Sequence, residues 1–388
     1  MNANDSPRIM IVAGEASGDL HGANMVRSIL AVQPDIQIFG MGGRELKAAG
    51  VELLHDAAGL SVVGITEVFG HLGDILAARR ILFAQMQKRK PSLLILIDFP
   101  DFNLMLAKKA GKLGIPVFYY ISPQVWAWRQ GRTRKIGRLA DRIAVILPFE
   151  KEFYRLRGID VDFVGHPLMD IVTAGMDQDA FRQSLAIGPD KTIIGLLPGS
   201  RRREIVSLLP DFLASAKRLC EMTGREYVFV IPRATTVSHR LLEENGVGRY
   251  RDQLDIRIVE NNRYDMMANC AAAVAASGTV TLELAILGVP TVATYRLSRR
   301  SYLLGRLLVK LRWFSLVNLV AGRTVIPELL QDEVNPEKIA GELSAILTDN
   351  GKRHAMLQGL EEVRQKLGGP GASRRAAEIA LNMVHENE

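Results

Sequence analysis

Short, uniformly apolar runs alternate with longer amphipathic stretches along the first half of the chain. The apolar runs are rich in β-branched residues and lie at 9–13, 36–40, 93–97, 117–121, 143–146 and 161–164. Strands that are buried on both faces show this uniform apolarity. The amphipathic stretches between them, such as 72–90 and 103–113, have the spacing of helices. The alternation therefore predicts a parallel sheet whose strands are joined by crossover helices.

The same pattern pauses near residues 165–175 and then starts again. A second set of apolar runs lies at 193–197, 227–231, 256–259, 272–276 and 291–294. A length of 388 residues also favours two domains over one. We therefore predict an α/β protein with two doubly wound, Rossmann-like domains that face a cleft. Such sheets bind ligands at the carboxyl ends of their strands, so the polar residues that follow each strand are the candidate site.

The first predicted strand runs into the loop "GEASGD", which has the glycines of a phosphate-binding loop but carries two acids and no lysine. The carboxylates of Glu15 and Asp19 would repel a phosphate at close range. Sugar hydroxyls suit Glu15, Ser17 and Asp19 better, so we predict that the loop contacts a carbohydrate or forms the floor of the cleft. The structural alternative is a tight glycine turn in which Asp19 caps a helix.

Two segments of the second half have the form of a phosphate cradle. In "LLPGSRRRE", Gly199 makes the turn, Ser200 is a candidate N-cap, and Arg201 begins a cluster of cations. The structural alternative for this segment is a solvated basic helix start. In "AASGTVTLE", small residues bring the backbone N–H groups of the loop close to a ligand. The nucleotide-binding residues predicted from the two segments are Gly199, Ser200, Arg201, Ser277, Gly278, Thr279 and Glu283.

Glu283 lies one helical turn beyond Thr279, so its carboxylate can accept hydrogen bonds from ribose hydroxyls. The structural alternative is a capping pair that stabilises a packed helix. Taken together, the two segments predict a nucleoside diphosphate held between two helix N-termini and an arginine.

The segment "IDFPDFN" places Asp98 directly after a predicted strand. A carboxylate at this edge can serve as a general base. The structural alternative is that Asp98 and Asp101 cap a helix from Phe102. That alternative explains Asp101 well and Asp98 poorly, because a cap lies next to the helix start. We predict that Asp98 is catalytic and that Asp101 lines the cleft.

The composition is that of an ordinary globular chain, 48% hydrophobic and 23% charged, with a formal net charge of +7. The basic balance favours an anionic partner. Cys220 and Cys270 lack metal-binding spacing and suit a reducing compartment. No apolar run reaches the roughly 18 residues of a spanning helix, and the polar start does not have the form of a signal peptide. We therefore expect a protein that is soluble or lies on a membrane surface.

Two basic segments extend the charge argument. In "SPQVWAWRQGRTRK", Trp128 and Arg129 stand among further cations. Such a mixture suits stacking on single-stranded nucleic acid, and it also suits a phosphorylated acceptor or a lipid head group at the cleft. Residues 299–314 place leucines on one helical face and cations on another, which fits either an interfacial helix or a helix docked on the core. Residues 60–80 are a second apolar candidate for the interface.

Several of these segments are long and unusual, and they resemble the bacterial lipid-A-disaccharide synthase family. The matching stretches lie between Ala13 and Gln331 and include "VAGEASGD", "IDFPDFN", "SPQVWAWRQGR", "LLPGSR" and "LVNLVAGR". The resemblance implies a B-type glycosyltransferase fold. It implies an acceptor-side domain at 1–170, a UDP-sugar-binding domain at 171–365, and a C-terminal helix at 366–388 that crosses back to the first domain.

The resemblance also implies the reaction. UDP-2,3-diacylglucosamine donates its sugar, with inversion, to 2,3-diacylglucosamine 1-phosphate, giving the β(1→6) lipid A disaccharide 1-phosphate and UDP. Asp98 matches the family's general base, and Asn318 joins Glu283 on the nucleotide side. Neither a metal nor an organic cofactor is implied. Glu15, Ser17, Asp101, Trp128 and Arg129 are the predicted acceptor or cleft residues.

Because both substrates carry acyl chains, we expect a cytoplasmic protein that associates peripherally with the inner face of the inner membrane. An anionic membrane surface is then the partner, and nucleic acid is not. The sequence leaves the oligomeric state open between a monomer and a homodimer. A UDP-sugar 2-epimerase of the same fold is the alternative enzyme, although it has no use for the apolar basic segments. A basic nucleic-acid-binding module is the non-enzyme alternative, and it leaves Asp98 and Glu283 unexplained.

Overall fold

The computed structural model describes residues 7–57, 72–128, 130–297 and 312–386. The chain divides into two compact units. The first consists of Met1–Asp170 together with Leu367–Glu388, and the second of Ile171–Lys366. Each unit has its own parallel sheet with helices on both faces, so the α/β class predicted from the apolar runs is confirmed.

The first unit is built on strands β1 to β7, all of them paired in parallel. They are β1 Arg8–Ala13, β2 Gln37–Gly42, β3 Glu52–Asp56, β4 Leu93–Ile97, β5 Val117–Tyr120, β6 Arg142–Val145 and β7 Asp162–Phe163. Their order across the described sheet is β3-β2-β1-β4-β5-β6-β7. The direction of winding therefore reverses between β1 and β4.

The second unit is built on strands β8 to β13, which are also parallel. They are β8 Thr192–Leu197, β9 Tyr227–Pro232, β10 Asp255–Val259, β11 Ala272–Ala276, β12 Thr291–Tyr295 and β13 Glu328–Leu330. Their order across the described sheet is β10-β9-β8-β11-β12-β13, so the winding reverses between β8 and β11.

The helices of the described chain are labelled α1 to α18 in chain order. In the first half they are α1 Ala16–Val32, α2 Arg44–Ala48, α3 Leu72–Arg89, α4 Pro100–Lys112, α5 Val125–Trp128, α6 Thr133–Leu139, α7 Pro148–Arg155 and α8 Leu168–Ile171. In the second half they are α9 Gln178–Ser184, α10 Arg202–Thr223, α11 His239–Leu242, α12 Gly248–Tyr250, α13 Arg263–Ala268, α14 Thr279–Ile286, α15 Leu316–Ala321, α16 Pro336–Thr348, α17 Asn350–Lys366 and α18 Ala372–His385.

The uniform apolarity of the strands has a direct cause in the first sheet. Successive side chains of a strand point to opposite faces, so Ile9 and Ile11 pack on one side of β1 while Met10 and Val12 pack on the other. Helix α18 lies against α1 on the first side and contributes Ala376 to that core. Both faces of β1 are buried, so the strand does not alternate between apolar and polar residues.

Two strands were absent from the sequence prediction. Strand β3 is half exposed and carries polar residues at both ends, and β13 has only three residues after Pro327. Both are edge strands of the described sheets, and an edge strand lacks the continuous apolar run of a central one. Among the residues that the structure describes, no helix combines the length and apolarity needed to cross a bilayer.

Candidate functional site

Most of the predicted site residues follow the strands at which the winding of each sheet reverses. In the first unit these are β1, which leads into Glu15, and β4, which leads into Asp98. In the second unit they are β8, which leads into Gly199, and β11, which leads into Ser277. Open α/β sheets bind ligands outside the carboxyl ends of the strands at such switch points. The topology therefore supports the sequence argument in each unit separately.

Asp98 sits on a strained turn directly after β4. Both Asp98 and Phe99 have left-handed backbone conformations, with φ of 45° and 44°. The Asp98 carbonyl oxygen accepts hydrogen bonds from the Asn103 Nδ2 group and the Tyr119 hydroxyl, each at 2.7 Å. Non-glycine residues occupy this conformation at a cost, and such strain concentrates at functional sites.

The Asp98 carboxyl is poised to take up a proton near neutral pH. Burial, followed by the nearby Glu15 carboxylate, raises the pKa of Asp98 to about 7, while a hydrogen bond from the Phe99 backbone opposes the rise. The two loops are in contact, because a Cβ on Gly14 would lie 2.4 Å from the Phe99 ring. A general base works best when its pKa lies close to the operating pH.

A cavity of about 260 Å³ adjoins Asp98 within the first unit. Its wall includes Pro100 from the start of α4, the segment from Ile121 to Val125, Arg132, and the residues Ile146, Leu147 and Glu150. Arg132 forms an ion pair of 2.6 Å with Asp101. Helix α4 begins at Pro100, so Asp101 lies in its first turn and is not its cap. The structural alternative, in which Asp101 caps this helix, is therefore wrong.

Glu150 is a buried carboxyl in the wall of this cavity, and the sequence prediction missed it. Its oxygens accept hydrogen bonds from the Trp126 indole at 3.1 Å and from the backbone N–H groups of Ile146 and Leu147 at 3.2 and 2.9 Å. Burial raises the pKa of Glu150 to about 7, and these donors oppose the rise. The signal was present in "LPFE", where a proline and a glutamate mark a helix start.

The acids of the opening loop have different roles in the structure. Asp19 is buried, and its oxygens accept hydrogen bonds from the backbone N–H groups of Gly43, Glu45 and Leu46 at 2.7, 2.9 and 3.1 Å. Asp19 therefore caps helix α2, which is the structural alternative that the sequence left open. Glu15 is half-buried at the start of α1, and Ser17 is exposed in its first turn. Glu15 and Ser17 therefore remain accessible at the switch point.

The loop after β8 differs from the expected phosphate cradle. Arg201, and not Ser200, occupies the N-cap position of α10. The Glu204 carboxylate accepts hydrogen bonds from the backbone N–H groups of Ser200 and Arg201 at 2.9 and 3.0 Å. It also pairs with the exposed Arg201 guanidinium at 3.0 Å. The backbone N–H groups of Ser200 and Arg201 are therefore occupied within the loop. A side chain on Gly199, whose φ is +107°, would collide with Glu204.

The loop after β11 retains more of the predicted character. The Ser277 N–H already donates to the Thr294 carbonyl at 2.7 Å, because it continues the ladder of the sheet. Gly278 and Thr279 are exposed at the start of α14, and no described residue accepts a hydrogen bond from their backbone N–H groups. Helix starts of this kind attract anions. The free donors of this loop are therefore those of Gly278 and Thr279.

Glu283 lies deeper in the same helix and is buried. Its carboxylate pairs with the Arg263 guanidinium at 3.0 Å. Burial raises the pKa of Glu283, and the Arg263 charge opposes the rise. The Arg263 guanidinium also lies 4.6 Å from the centre of the Tyr264 ring. A second aromatic surface, which the sequence prediction missed, is the Tyr295 ring stacked on Phe314 at 5.8 Å at the end of β12.

Asn318 is not available to a nucleotide. It is fully buried, and its Oδ1 atom accepts hydrogen bonds from the backbone N–H groups of Val325 and Ile326 at 2.7 and 3.0 Å. Its Nδ2 group donates to the Ile326 carbonyl and to the Glu328 carboxylate at 2.9 and 2.8 Å. These four bonds exhaust the capacity of the amide. The Asn318 amide therefore has no donor or acceptor left over for a nucleotide.

The remaining predicted residues fall partly outside the described chain. The backbone of Trp128 ends α5, but its side chain and the whole of Arg129 lie outside the described residues, as do residues 298–311 and 58–71. Within the described ranges, no group of three or more His, Cys, Asp or Glu side chains is placed to hold a metal ion.

Nearly the whole chain matches one family of known proteins. The family described as lipid-A-disaccharide synthetase matches residues 9–383. A curated lipid-A-disaccharide synthase from Syntrophus aciditrophicus (strain SB) is 48% identical over 384 residues, covering 99% of this chain and 100% of the relative. Another from Geobacter sulfurreducens (strain ATCC 51573 / DSM 12127 / PCA) is 45% identical over 388 residues, covering 99% of each chain.

Solved structures support the fold. The kitacinnamycin glycotransferase has a TM-score of 0.66 at 14% identity, with 98% of this chain and 99% of that chain covered. A Listeria monocytogenes protein described as a putative UDP-N-acetylglucosamine 2-epimerase has a TM-score of 0.65 at 13% identity, with 98% and 96% covered. At these identities the likeness concerns the fold, which is that of the B-type glycosyltransferases.

Proposed function

The chain belongs to the lipid-A-disaccharide synthetase family and is a glycosyltransferase, and we propose that it transfers 2,3-diacylglucosamine from its UDP derivative to 2,3-diacylglucosamine 1-phosphate. The products are the β(1→6)-linked lipid A disaccharide 1-phosphate and UDP. The family uses a nucleotide sugar and a lipid-linked sugar phosphate. The proposal adds the identity of the two substrates and the residues that act on them.

The observation that carries the proposal is the Asp98 carboxyl. It stands at the switch point of the first sheet, beside a cavity, with a pKa raised to about 7. The acceptor 6-hydroxyl attacks the anomeric carbon of the donor with inversion, and Asp98 takes the hydroxyl proton. The new oxygen–carbon bond forms as the bond from that carbon to the diphosphate breaks, and UDP leaves with the electron pair.

The second unit is the donor side of this proposal. The exposed N–H groups of Gly278 and Thr279 and the exposed Arg201 guanidinium supply positive potential for the departing diphosphate. Because Glu204 occupies the N–H groups of Ser200 and Arg201, the arginine side chain carries the contribution of that loop. Glu283 takes the ribose hydroxyls. The remaining nucleotide-side residues are Gly199, Ser200 and Ser277.

The first unit is the acceptor side. Glu15 and Ser17 remain accessible beside Asp98, and Asp101 holds the Arg132 side chain. Trp128 and Arg129 belong to the same group by their sequence position. Residues 1–170 then form the acceptor-side domain, residues 171–365 bind the UDP-sugar, and residues 366–388 complete the first domain. Helix α18 packs on α1, which supports the last assignment.

Acyl chains on both substrates require the enzyme to reach a membrane. We therefore place it at the inner face of the inner membrane, bound peripherally through basic and apolar segments that include residues 299–314. The net charge of +7 supports an anionic surface as the partner.

The reaction itself tests the proposal. The protein is incubated with UDP-2,3-diacylglucosamine and 2,3-diacylglucosamine 1-phosphate, and the products are analysed for UDP and a tetraacyl disaccharide phosphate. Both products should form together in equal amounts. Conversion of UDP-N-acetylglucosamine alone to its 2-epimer, with no disaccharide from the lipid substrates, would contradict the proposal and favour an epimerase.

The variant Asp98→Asn tests the base. General base catalysis contributes about 10²- to 10⁴-fold, so turnover should fall by a factor in that range while UDP still binds. Turnover is measured at saturating substrate, and UDP affinity by calorimetry. If this variant turns over at the rate of the parent, Asp98 is not the base.

A further inference from the structure

We propose that Arg132 binds the 1-phosphate of the acceptor, so that the cavity beside Asp98 recognises the hydroxyl and phosphate edge of a single sugar. This inference rests on the proposed function, because it names the part of the acceptor that the cavity takes. It assigns to Arg132 a role in substrate specificity.

The first support is the size and lining of the cavity. Its volume of about 260 Å³ lies just below the usual range of ligand pockets, which begins at about 300 Å³. A volume of this order suits a group the size of one sugar. Asp98 and Arg132 both line it, together with the apolar walls of Ile121, Pro123 and Ile146.

The second support is the charge of the described lining. The ionisable side chains among the described lining residues are those of Asp98, Glu150 and Arg132. The Glu150 carboxylate is fully buried and engaged with the Trp126 indole and two backbone N–H groups. Among the described residues that line the cavity, Arg132 is thus the one that offers positive charge to an anion.

The third support is the chemistry of the acceptor. In a glucosamine ring, the carbon that bears C6 and the anomeric carbon both adjoin the ring oxygen. The 6-hydroxyl and the 1-phosphate therefore leave the same edge of the ring, whereas the acyl chains at C2 and C3 leave the other edge. A base and a cation in one small cavity match that first edge. The acyl chains then lie outside the cavity.

The ion pair with Asp101 orients the Arg132 side chain. Its carboxylate is largely exposed and lies 2.6 Å from the Arg132 guanidinium, whose side chain is only 28% exposed. A guanidinium has five donors in a planar fork, so it can hold Asp101 on one side and a phosphate on the other. The ion pair fixes the direction of the fork, and Asp101 is therefore a positioning residue.

The test compares two acceptors, 2,3-diacylglucosamine 1-phosphate and the same molecule without its phosphate. Charge-assisted hydrogen bonds to a phosphate support a loss of about 10- to 100-fold in kcat/KM for the phosphorylated acceptor in Arg132→Gln. For the acceptor that lacks the phosphate, kcat/KM of Arg132→Gln should stay within about twofold of the parent value, because this acceptor has no phosphate for the arginine to bind. The variant Arg132→Lys keeps a positive charge but lacks the planar fork of a guanidinium. Its kcat/KM for the phosphorylated acceptor should therefore lie between the values of the parent and of Arg132→Gln.

A matched control is available in Arg142→Gln. Arg142 also pairs with an aspartate, Asp162, at 3.1 Å in the first unit, but it begins β6 and so lies at the opposite edge of the sheet from Asp98. This variant should retain the preference of the parent for the phosphorylated acceptor. A soluble probe, glucosamine 1-phosphate, gives a second measurement as a competitive inhibitor, and its inhibition constant should rise in Arg132→Gln but not in Arg142→Gln.

Equal losses for the two acceptors in Arg132→Gln, or an unchanged inhibition constant for glucosamine 1-phosphate, would overturn the inference. Neither result would affect the proposed function as long as the parent enzyme makes the disaccharide. If the parent makes no disaccharide from the lipid substrates, the proposed function itself fails. The two failures are therefore distinguishable in one series of assays.

Discussion

At the scale of single residues, Asp98 links a strained backbone to a titration near neutral pH. A carboxylate must be ionised to accept a proton, so kcat/KM should rise with pH and level off above about 7, the pKa to which burial and Glu15 raise this group. In Glu15→Gln the like charge is removed, which lowers the pKa of Asp98. The rise in activity should then move to lower pH in a profile of kcat/KM against pH.

The extent of that movement is also informative. Burial is the larger cause of the raised pKa of Asp98. Glu15→Gln should therefore lower that pKa only part of the way to its ordinary value. Glu45→Gln serves as the control, because Glu45 lies at the start of α2 and pairs with Arg44. A profile for Glu15→Gln that coincides with that of the parent would show that the two carboxyls do not interact.

Asn318 illustrates a role that sequence reasoning could not assign. The letters "LVNLVAGR" reveal an unusual asparagine, but not that its amide bonds to Val325, Ile326 and Glu328. Those partners lie seven to ten positions further along the chain and come together only in the folded loop. An unusual polar residue in a motif can thus stabilise a loop without touching a ligand.

The variant Asn318→Ala separates the two roles. It leaves buried donors and acceptors without partners, which costs about 1–3 kcal/mol for each group, so the melting temperature should fall clearly. The UDP affinity of the folded protein should change little. Calorimetry at a temperature where the variant is folded checks both quantities. A large loss of UDP affinity with an unchanged melting temperature would restore Asn318 to the nucleotide side.

At the scale of elements, α10 offers an internal comparison between two ion pairs of the same type. Arg201 pairs with Glu204 at the start of the helix, and Arg218 pairs with Glu221 near its end. Exposed pairs of this spacing contribute about 0.2–0.5 kcal/mol to stability. Arg201→Ala should nevertheless weaken UDP binding about tenfold or more, because a charge-assisted bond to a phosphate is lost. Arg218→Ala should bind UDP as the parent does.

Both variants are titrated with UDP in a calorimeter and assayed for turnover. Turnover in Arg201→Ala should also fall, since the arginine meets the departing diphosphate as well as the bound one. Equal UDP affinities in the two variants would exclude Arg201 from the nucleotide site. Because fixed protein charges act in this proposal, added EDTA should leave the turnover of the parent unchanged.

The sequence predicted the central strands well and the loops only in part. Buried parallel strands such as β4 and β11 are uniformly apolar, so their bounds could be predicted to the residue. Loop hydrogen bonds depend on side chains that arrive from the next turn of helix. Glu204 therefore occupies donors of a predicted loop, and Glu150 occupies those of a loop for which no site was predicted. The glycine at position 40 also depends on a neighbour that the local sequence does not show, because a side chain there would collide with the Ile11 carbonyl of the neighbouring strand.

At the scale of the whole molecule, binding to a membrane should have two separable parts. Each cation near an anionic surface contributes about 1 kcal/mol, which salt weakens. Buried apolar surface adds about 25 cal/mol per Å², which salt does not weaken. We expect binding to anionic vesicles that falls in high salt but persists. Replacement of Arg299, Arg300, Arg306 and Lys310 by serine should remove the salt-dependent part in a vesicle flotation assay.

Apolar-to-serine changes in residues 62–76 should remove the part that persists in salt. The enzyme reaction with detergent-dispersed substrates is the control, because the serine variants should keep their turnover there. If the quadruple serine variant binds vesicles as the parent does at every salt concentration, residues 299–314 are a core element and the membrane contact lies elsewhere.

The discontinuous make-up of the first unit has a consequence for synthesis on the ribosome. The chain enters the second unit at Ile171 and leaves it at Lys366, and only then supplies α18, whose Ala376, Ala380 and Val384 are buried in the first core. A growing chain can complete the second sheet while the first still exposes apolar surface beside α1. The unit that emerges first is thus finished last, and its apolar face stays open to aggregation while the residues between its two parts are translated.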